Sequence, residues 1–285
     1  METKKYIGVD LGAWYGNKTR IAVLEEKNNE ELILIKLEKE PTKQSQPPKE
    51  RDKSLVNCLL KESENNSIIA IDAPFNIPYY LCNKENENDI YLPQALANQR
   101  ELKNPVLYDN SARFVFERTG QKVLAPAGDK IGKMTARMIK IIDEFNSRNN
   151  KNIKIIKTPE LEIKNNEISV IEVYPTATLY KIIKSKNKNL WEKYLENSNN
   201  NKLKSYKNDN WNEQNKNRML DLLSSCKISN IDDFKKKIEK DDDYDAIICA
   251  LTAYLIDKHG FETPGEKEKF SNSFIFIPAI GQKKV

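Results

Sequence analysis

The sequence predicts an α/β protein with a mixed five-stranded sheet, in which three antiparallel strands precede parallel strands and helices flank the sheet. Three observations indicate this class. Three apolar segments near the start are separated by polar stretches, as in an antiparallel meander. Further along, uninterrupted apolar runs alternate with helical patterns, which is typical of buried parallel strands joined through helices. Several of these runs end on an acidic residue.

The first part of the chain holds the meander and the first parallel strand. Its strands are predicted at residues 6–10, 21–25, 32–37 and 68–72. A polar turn at 28–30 joins the second strand to the third, and Pro74 ends the fourth. Residues 39–53 contain three prolines and many charges, so we expect a loop there. A helix follows at 54–62, where leucines and a valine recur at helical spacing.

The second part of the chain alternates helices and strands. A long helix is predicted to begin at Asp129, because apolar residues recur there at spacings of three and four. This apolar stripe consists of Ile131, Met134, Met138, Ile141 and Phe145. Strands are expected at 153–157, 168–173 and 273–277, and helices at 176–184, 217–223, 231–238 and 242–258. Small residues on the last helix, such as Ala246 and Ala250, predict close packing against the sheet.

The 285 residues are expected to form a single domain, 1–285, with two insertions. The first, at about 75–128, is rich in proline and aromatic residues and shows weak periodicity. The second, at about 185–240, opens with a Lys/Asn-rich stretch. Long irregular segments inside a domain are often functional, so we expect the first insertion to lie over a cleft.

The charge, the cysteines, the single histidine and the length of the apolar runs limit which kinds of function the sequence is compatible with. The net charge of +5, from 47 basic and 42 acidic residues, permits a nucleic-acid partner without requiring one. The four cysteines include no Cys-x-x-Cys pair, so a zinc site is not expected. His259, the single histidine, precedes Gly260 and is expected at a helix C-terminus rather than in nucleophilic catalysis. Because no apolar run approaches about 18 residues and no signal-peptide pattern is present, we expect a cytoplasmic protein without membrane contact.

Acidic residues recur at the ends of the predicted elements. Asp10 and Asp72 end strands, Glu172 lies in an apolar strand, and Asp242 and Asp245 lie at the start of the last helix. A carboxylate beside valine and isoleucine is costly to bury unless it is paired, so these acids are expected to converge on a cleft. Phosphodiester hydrolysis by two metal ions needs about three or four carboxylates and no histidine or cysteine. The pattern therefore predicts a catalytic centre that holds Mg²⁺ or Mn²⁺.

Each acid also has a purely structural alternative. Asp10 suits a turn after a strand, and Asp72 suits a helix N-cap. Glu172 is compatible with the solvent face of an edge strand. Asp242 and Asp245 would interact favourably with the dipole at the N-terminus of a helix. The joint occurrence of these acids at corresponding element ends favours the catalytic interpretation.

Basic residues form two candidate contacts to substrate. On the helix that begins at Asp129, Lys133, Arg137 and Lys140 make a stripe that would follow a phosphate backbone, although a solvated surface is the alternative. In the first insertion, Arg113 and Arg118 lie beside aromatic residues. We therefore expect Arg113, Arg118, Lys133 and Arg137 to bind substrate.

Four motifs together resemble a known family. They are Gly8-Val9-Asp10, Ile71-Asp72-Ala73-Pro74, Glu172-Val173-Tyr174-Pro175 and Asp245-Ala246 followed by Ala250 and Ala253. In this order, and with the terminal segment Phe274–Pro278, they are similar to an uncharacterised family of predicted nucleases with an RNase H-like fold. The spacing of Asp242, Asp245 and Ala246 also resembles the Asp-x-x-Asp-Ala pattern in the Holliday-junction resolvase branch of that fold.

The resemblance carries implications for fold and site. It implies a single RNase H-like domain in which Asp10, Asp72, Glu172 and Asp245 ligate metal, with Asp242 as a further candidate. It also implies that Arg113–Arg118 corresponds to an arginine-rich stretch of the family. The Lys/Asn-rich stretch departs from the compact family pattern and leaves the substrate surface open.

Three functions are compatible with these observations. The first is a divalent-metal-dependent nuclease that acts on DNA or RNA by a two-metal mechanism. The second is a catalytically weak nucleic-acid-binding protein that keeps the fold. The third is an actin-like-fold phosphotransferase, which the nine glycines and the absence of a duplicated half disfavour. The sequence leaves open DNA against RNA, endonuclease against exonuclease, and the oligomeric state.

Overall fold

The protein is described here by a computed structural model. It describes residues 4–14, 18–27, 31–41, 45–63, 66–76, 110–124, 126, 129–148, 152–160, 162–164, 166–186, 193–197, 200–204, 206–207, 210–265 and 273–280. Residues 77–109, which make up most of the predicted first insertion, lie outside these ranges, as does the predicted turn at 28–30.

The described strands form one large mixed sheet and one small hairpin. The strands are β1 (Lys5–Asp10), β2 (Arg20–Lys27), β3 (Glu31–Lys39), β4 (Ile68–Asp72), β5 (Ile153–Ile156), β6 (Ile168–Val173), β7 (Leu195–Asn197), β8 (Asn200–Leu203) and β9 (Ile275–Phe276). The large sheet has the order β3-β2-β1-β4-β6-β5, and β9 also pairs with β6. Strands β1, β2 and β3 are antiparallel neighbours, whereas β4, β5, β6 and β9 join in parallel. The prediction of antiparallel strands followed by parallel strands in an α/β fold is confirmed.

The large sheet contains seven strands rather than the predicted five. The difference arises at β6. Strand β5 pairs with its first four residues, from Ile168 to Ile171, and β9 pairs with the last two, Glu172 and Val173. The small hairpin of β7 and β8 lies in the second predicted insertion and forms a separate antiparallel sheet.

The described helices cover both faces of the sheet. They are α1 (Pro48–Glu62), α2 (Asn110–Thr119), α3 (Asp129–Asn146), α4 (Pro175–Ser185), α5 (Glu213–Ser224), α6 (Ile231–Phe234) and α7 (Asp241–His259). Helix α1 begins at Pro48, within the segment that was predicted to be a loop, because proline fits the first turn of a helix. None of the helices in the described ranges combines the length and apolar character needed to cross a membrane.

Two apolar cores lie on opposite faces of the sheet. Alternate residues of each strand point to opposite faces, so both faces of the buried parallel strands are apolar. Residues of α2, α4, α5 and α7 contribute to one core, which includes Tyr6 and Ala70. Residues of α1 and α3 contribute to the other, which includes Val9 and Ile71.

Helix α7 approaches the sheet very closely at Gly8. A Cβ atom placed on Gly8 would lie 2.1 Å from the carbonyl oxygen of Ala246 and 2.2 Å from the backbone nitrogen of Ala250. Only glycine permits this distance, and the small residues on α7 complete the contact. The predicted close packing of the last helix is confirmed. Because Gly8 precedes Asp10 by two residues, the contact brings the start of α7 to the carboxyl end of β1.

A buried ion pair fixes the N-terminus of α7. The Nε atom of Arg20 donates to Oδ1 of Asp243 at 2.6 Å, and both side chains are buried. Oδ2 of Asp243 accepts hydrogen bonds from the backbone N–H groups of Glu239 and Lys240, each at 2.9 Å. Arg20 is paired with Asp10 across β1 and β2, so this ion pair anchors the helix beside the end of β1.

Substituting Gly8 by alanine should destabilise the protein strongly. The new methyl group would overlap backbone atoms of α7, which move only with the whole helix, so we expect a loss of about 3 kcal/mol in the free energy of unfolding. Urea denaturation would measure this loss.

Gly12→Ala is the matched control in the same segment. Its Cβ would lie 2.9 Å from the Lys18 Cβ atom and 3.0 Å from the Thr19 nitrogen, so the overlap is much smaller than at Gly8. We expect this variant to lose only about 1 kcal/mol. Equal stability of Gly8→Ala and wild type would contradict the described packing.

Candidate functional site

Three aspartates from three elements meet at one end of the sheet. Asp10 and Asp72 are in register at the ends of the parallel strands β1 and β4. They lie on the same face as Gly8, which is the face that contacts α7. Asp245 belongs to α7 and is buried, and its charge acts on both of the other aspartates. We call Asp10, Asp72 and Asp245 the carboxylate centre.

Burial and the neighbouring negative charges raise the pKa values of Asp10 and Asp72. Loss of hydration is the largest effect on Asp10, and the charges of Asp245 and Asp72 raise its pKa further. The pKa of Asp72 rises from its ordinary 3.8 to about 7, mainly through burial and also through Asp245. A concentration of like charges of this kind is costly and is typical of sites that bind a cation.

A lysine from the second predicted insertion supplies a positive charge. The Nζ atom of Lys207 lies 2.7 Å from Oδ2 of Asp245. Burial lowers the pKa of Lys207, but the charges of Asp245, Asp72 and Asp10 outweigh this effect and raise it, so the ammonium group stays charged. The same ammonium charge lowers the pKa values of Asp10 and Asp72.

The neighbouring tyrosine binds the other oxygen of the same carboxylate. The hydroxyl of Tyr206 donates to Oδ1 of Asp245 at 2.6 Å. Burial raises the pKa of Tyr206, and the charge of Asp245 raises it further, so the phenol keeps its proton. In the described part of the chain, neither the Asp10 nor the Asp72 side chain accepts a hydrogen bond, in contrast to that of Asp245.

Sequence reasoning missed Tyr206 and Lys207. They lie in the Lys/Asn-rich stretch, where lysine is common and no periodicity marks a single residue. Their contact with Asp245 spans almost 40 positions in the chain, as Tyr206 shows with a separation of 39. Only the departure of this stretch from the compact family pattern pointed to it.

Asp242 lies at the edge of the carboxylate centre. It is half-buried in the first turn of α7. Burial raises its pKa and the charge of Asp241 raises it further, whereas Arg20 and Lys18 lower it. Its charge also raises the pKa of Asp10, although less than Asp245 and Asp72 do. Asp242 is therefore near the centre, and its role as a metal ligand stays a prediction.

Glu172 differs from Asp10 and Asp72 in its position on the sheet, and its role as a metal ligand stays a prediction. The register of β4 and β6 pairs Glu172 with Ile71, so it is out of phase with Asp72 by one residue and belongs to the opposite face of the sheet. Its Oε2 atom accepts a hydrogen bond from the backbone N–H of Phe75 at 3.0 Å. Glu172 therefore holds the turn that follows β4.

Arg137 is a correction to the predicted substrate contacts. Its side chain is completely buried, so it does not form part of a basic surface. Its Nε atom donates to Asp52 at 2.8 Å and its Nη2 atom donates to Glu40 at 2.6 Å. The predicted stripe of Lys133, Arg137 and Lys140 is therefore interrupted at Arg137, which faces two buried carboxylates that sequence reasoning did not connect with it.

The buried arginine stabilises the loop after Asp10. The Nη1 atom of Arg137 donates to the carbonyl oxygen of Gly12 at 2.7 Å and to Oγ1 of Thr19 at 2.9 Å. Arg51 shares the same acids, because it donates to Glu40 and to the carbonyl oxygen of Trp14. Two arginines and two acids thus balance their charges beneath the β1–β2 connection, as buried ions require.

The other predicted substrate contacts lie at or near the surface. Lys133 is exposed, and Lys140 is exposed and lies 3.7 Å from Asp143. Arg118 is exposed, with its guanidinium carbon 5.1 Å from the centre of the Phe114 ring. Arg113 is half-buried on the same helix, α2. Their binding to substrate stays a prediction.

The described residues do not close around a metal ion as they stand. In the ranges given above, no group of three or more His, Cys, Asp or Glu side chains is arranged to hold one. The engagement of both Asp245 oxygens by Tyr206 and Lys207 is consistent with this finding.

Comparisons with known proteins found no significant match. No protein-family model, no curated protein and no solved structure is significantly similar to this chain. Interpretation of the site therefore depends on its own geometry.

The raised pKa of Asp72 predicts a specific pH dependence. A folded-state pKa of about 7 against an ordinary 3.8 means that the folded protein binds the extra proton between these values. Ionising Asp72 therefore costs stability as the pH rises through this interval. In EDTA, the stability of Asp72→Asn relative to wild type should increase from about pH 4 to about pH 7, as measured by urea denaturation.

Asp233→Asn is the control for this experiment, because Asp233 is exposed on α6. Its stability relative to wild type should stay constant over the same range. If the difference in free energy of unfolding between Asp72→Asn and wild type stayed constant over this pH range, the raised pKa of Asp72 would be contradicted.

Replacing Arg137 by methionine should cost about 3–5 kcal/mol of stability, because Glu40 and Asp52 would lose a buried partner. Lys133→Met, on the exposed face of the same helix, should change stability by less than about 0.5 kcal/mol. Urea denaturation of both variants checks this difference. Similar stabilities would show that Arg137 is not the buried partner of the two acids.

Proposed function

We propose that the chain is a divalent-metal-dependent nuclease with an RNase H-like fold that hydrolyses phosphodiester bonds of DNA or RNA. The observation that carries the proposal is the meeting of Asp10, Asp72 and Asp245 from two strand ends and a helix. The raised pKa values of Asp10 and Asp72, to which the charge of Asp245 contributes, favour a cation at this position.

The donor chemistry of the centre fits magnesium or manganese. Both ions prefer oxygen ligands, and Mg²⁺ is commonly held by one or two carboxylates together with water and substrate phosphate. Asp10 and Asp72 supply two adjacent carboxylates that accept no hydrogen bond from the described residues. These two residues would hold the ion, with Asp245 and Asp242 adding negative charge beside it.

The topology is compatible with the proposed RNase H-like fold. Three antiparallel strands precede parallel strands, and acids end β1 and β4. The C-terminal helix α7 packs on the same sheet and adds the third acid. The acids of three of the four motifs that underlie the family resemblance, Asp10, Asp72 and Asp245, belong to this arrangement.

In phosphodiester hydrolysis, the residues in and around the carboxylate centre would have separate roles. A bound divalent ion supplies Lewis-acid stabilisation of phosphate charge and a more acidic water. Asp10 and Asp72 would hold the ion at the adjacent ends of β1 and β4. Tyr206 orients Asp245, and Lys207 offsets part of the negative charge that would otherwise repel a phosphate.

A catalytically weak nucleic-acid-binding protein is the second candidate. It is favoured by one observation, namely that Tyr206 and Lys207 already occupy both oxygens of Asp245. If the lysine satisfied the centre fully, the carboxylates would serve structure rather than chemistry. Binding without turnover in Mg²⁺ and in Mn²⁺ would support this candidate.

Asp10→Asn should abolish metal-dependent cleavage while the protein stays folded. The change removes one charge from the proposed ion site and relieves repulsion, so we expect activity to fall about 100-fold or more without loss of stability. The measurement is cleavage of a panel of labelled single- and double-stranded DNA and RNA in Mg²⁺ and in Mn²⁺.

Asp233→Asn is the matched control and should cleave as wild type does. Cleavage by Asp10→Asn at the wild-type rate would refute the assignment of the catalytic centre. Circular dichroism of each variant separates loss of activity from loss of fold.

A further inference from the structure

The carboxylate centre contains an anchored lysine, which the family resemblance did not lead us to expect. Lys207 contributes an ammonium group to a cluster of three carboxylates, so two negative charges remain when all four groups are ionised. This balance matches the charge of one divalent cation.

We propose that Lys207 is a built-in cation that takes the place of one metal ion, so that the carboxylate centre binds a single divalent cation beside it. The inference rests on the proposed function, and it replaces the two-ion mechanism that the sequence led us to expect. On this proposal, a residue of the second insertion determines how many ions the carboxylate centre binds.

The position of Lys207 is built into the fold. The preceding residue, Tyr206, is buried and packs edge-to-face against Tyr244, with ring centres 5.5 Å apart. Tyr206 also packs against Trp211, with ring centres 6.3 Å apart. The contact with Tyr244 holds Tyr206 against α7. Because Lys207 directly follows Tyr206, its ammonium group is positioned beside Asp245.

Both oxygens of Asp245 already have a partner in the protein. Tyr206 donates to Oδ1 and Lys207 binds Oδ2, each within 2.7 Å. Because the Lys207 ammonium already binds Oδ2 of Asp245, a second cation at this carboxylate would be repelled by the ammonium charge. Asp10 and Asp72, which accept no hydrogen bond from the described residues, remain as the pair that holds one ion.

Charge balance argues against two ions beside this lysine. Two divalent ions and one ammonium would outweigh the three carboxylates, leaving a net positive charge in a site with little hydration. Uncompensated charge of either sign is costly when it is removed from water. One ion with Lys207 balances the three carboxylates before substrate binds, and Asp242 at the edge adds one further negative charge.

The test is to titrate Mn²⁺ into metal-free protein and count the bound ions by calorimetry. Wild type should bind one ion per chain at the centre, and this binding should be absent in Asp10→Asn. Lys207→Met should bind two ions per chain. Lys207→Arg, which keeps the positive charge, should again bind one.

Lys193→Met is a closely matched control. Like Lys207, Lys193 forms an ion pair with an aspartate, because its Nζ atom lies 3.0 Å from Oδ2 of Asp221. It likewise approaches the ring of an adjacent tyrosine, Tyr194, at 5.6 Å, as Lys207 approaches Tyr206 at 5.9 Å. Because Lys193 and Asp221 are exposed, this variant should bind one ion as wild type does. Lys207→Gln replaces Lys207→Met if the methionine variant fails to fold.

The outcomes separate this inference from the proposed function. Two bound ions in wild type would overturn the proposed role of Lys207, and so would a single bound ion in Lys207→Met, whatever its affinity. Either result would leave the proposed metal-dependent nuclease in place. Absence of Asp10-dependent Mn²⁺ binding in every variant would instead remove the metal centre itself, and the proposed function would fail together with the inference.

Discussion

The close contact between Gly8 and α7 is the constraint on which the rest of the site depends. Because the helix backbone lies against a residue without a side chain, the first turns of α7 reach the carboxyl end of β1. The ion pair of Arg20 and Asp243 then fixes the helix at its N-terminus. A larger residue at position 8 would move Asp245 away from Asp10, so packing in the core determines the geometry of the carboxylate centre.

Two groups of buried charge lie close to the end of β1, and they differ in how they are balanced. Beneath the β1–β2 connection, Arg51 and Arg137 pair with Glu40 and Asp52, and the group is balanced within itself. In the carboxylate centre, three acids face Lys207, and negative charge is in excess. The first group stabilises structure, whereas the second supports a proposed role in binding a cation.

The sequence predicted the parts of the site that follow from element ends, but not those that depend on register or long-range contact. Asp10 and Asp72 end strands, and their neighbouring positions follow from parallel pairing. Glu172 also lies near a strand end, but a register of one residue decides its face, and an apolar run does not reveal that phase. Lys207 reaches Asp245 through an insertion whose composition is uniform, so no local pattern distinguished it. The fold class was predictable because apolar periodicity is local, whereas the pairing of buried ions such as Arg137 is not.

The most direct test of the central claim is the anomalous scattering of Mn²⁺ in crystals of the protein. We predict one anomalous peak per chain, at about 2.1 Å from carboxylate oxygens of Asp10 and Asp72, with Lys207 still bound to Asp245. A peak located at Glu172 instead, or no peak near the ends of β1 and β4 at a saturating Mn²⁺ concentration, would contradict the account of the carboxylate centre as a cation site.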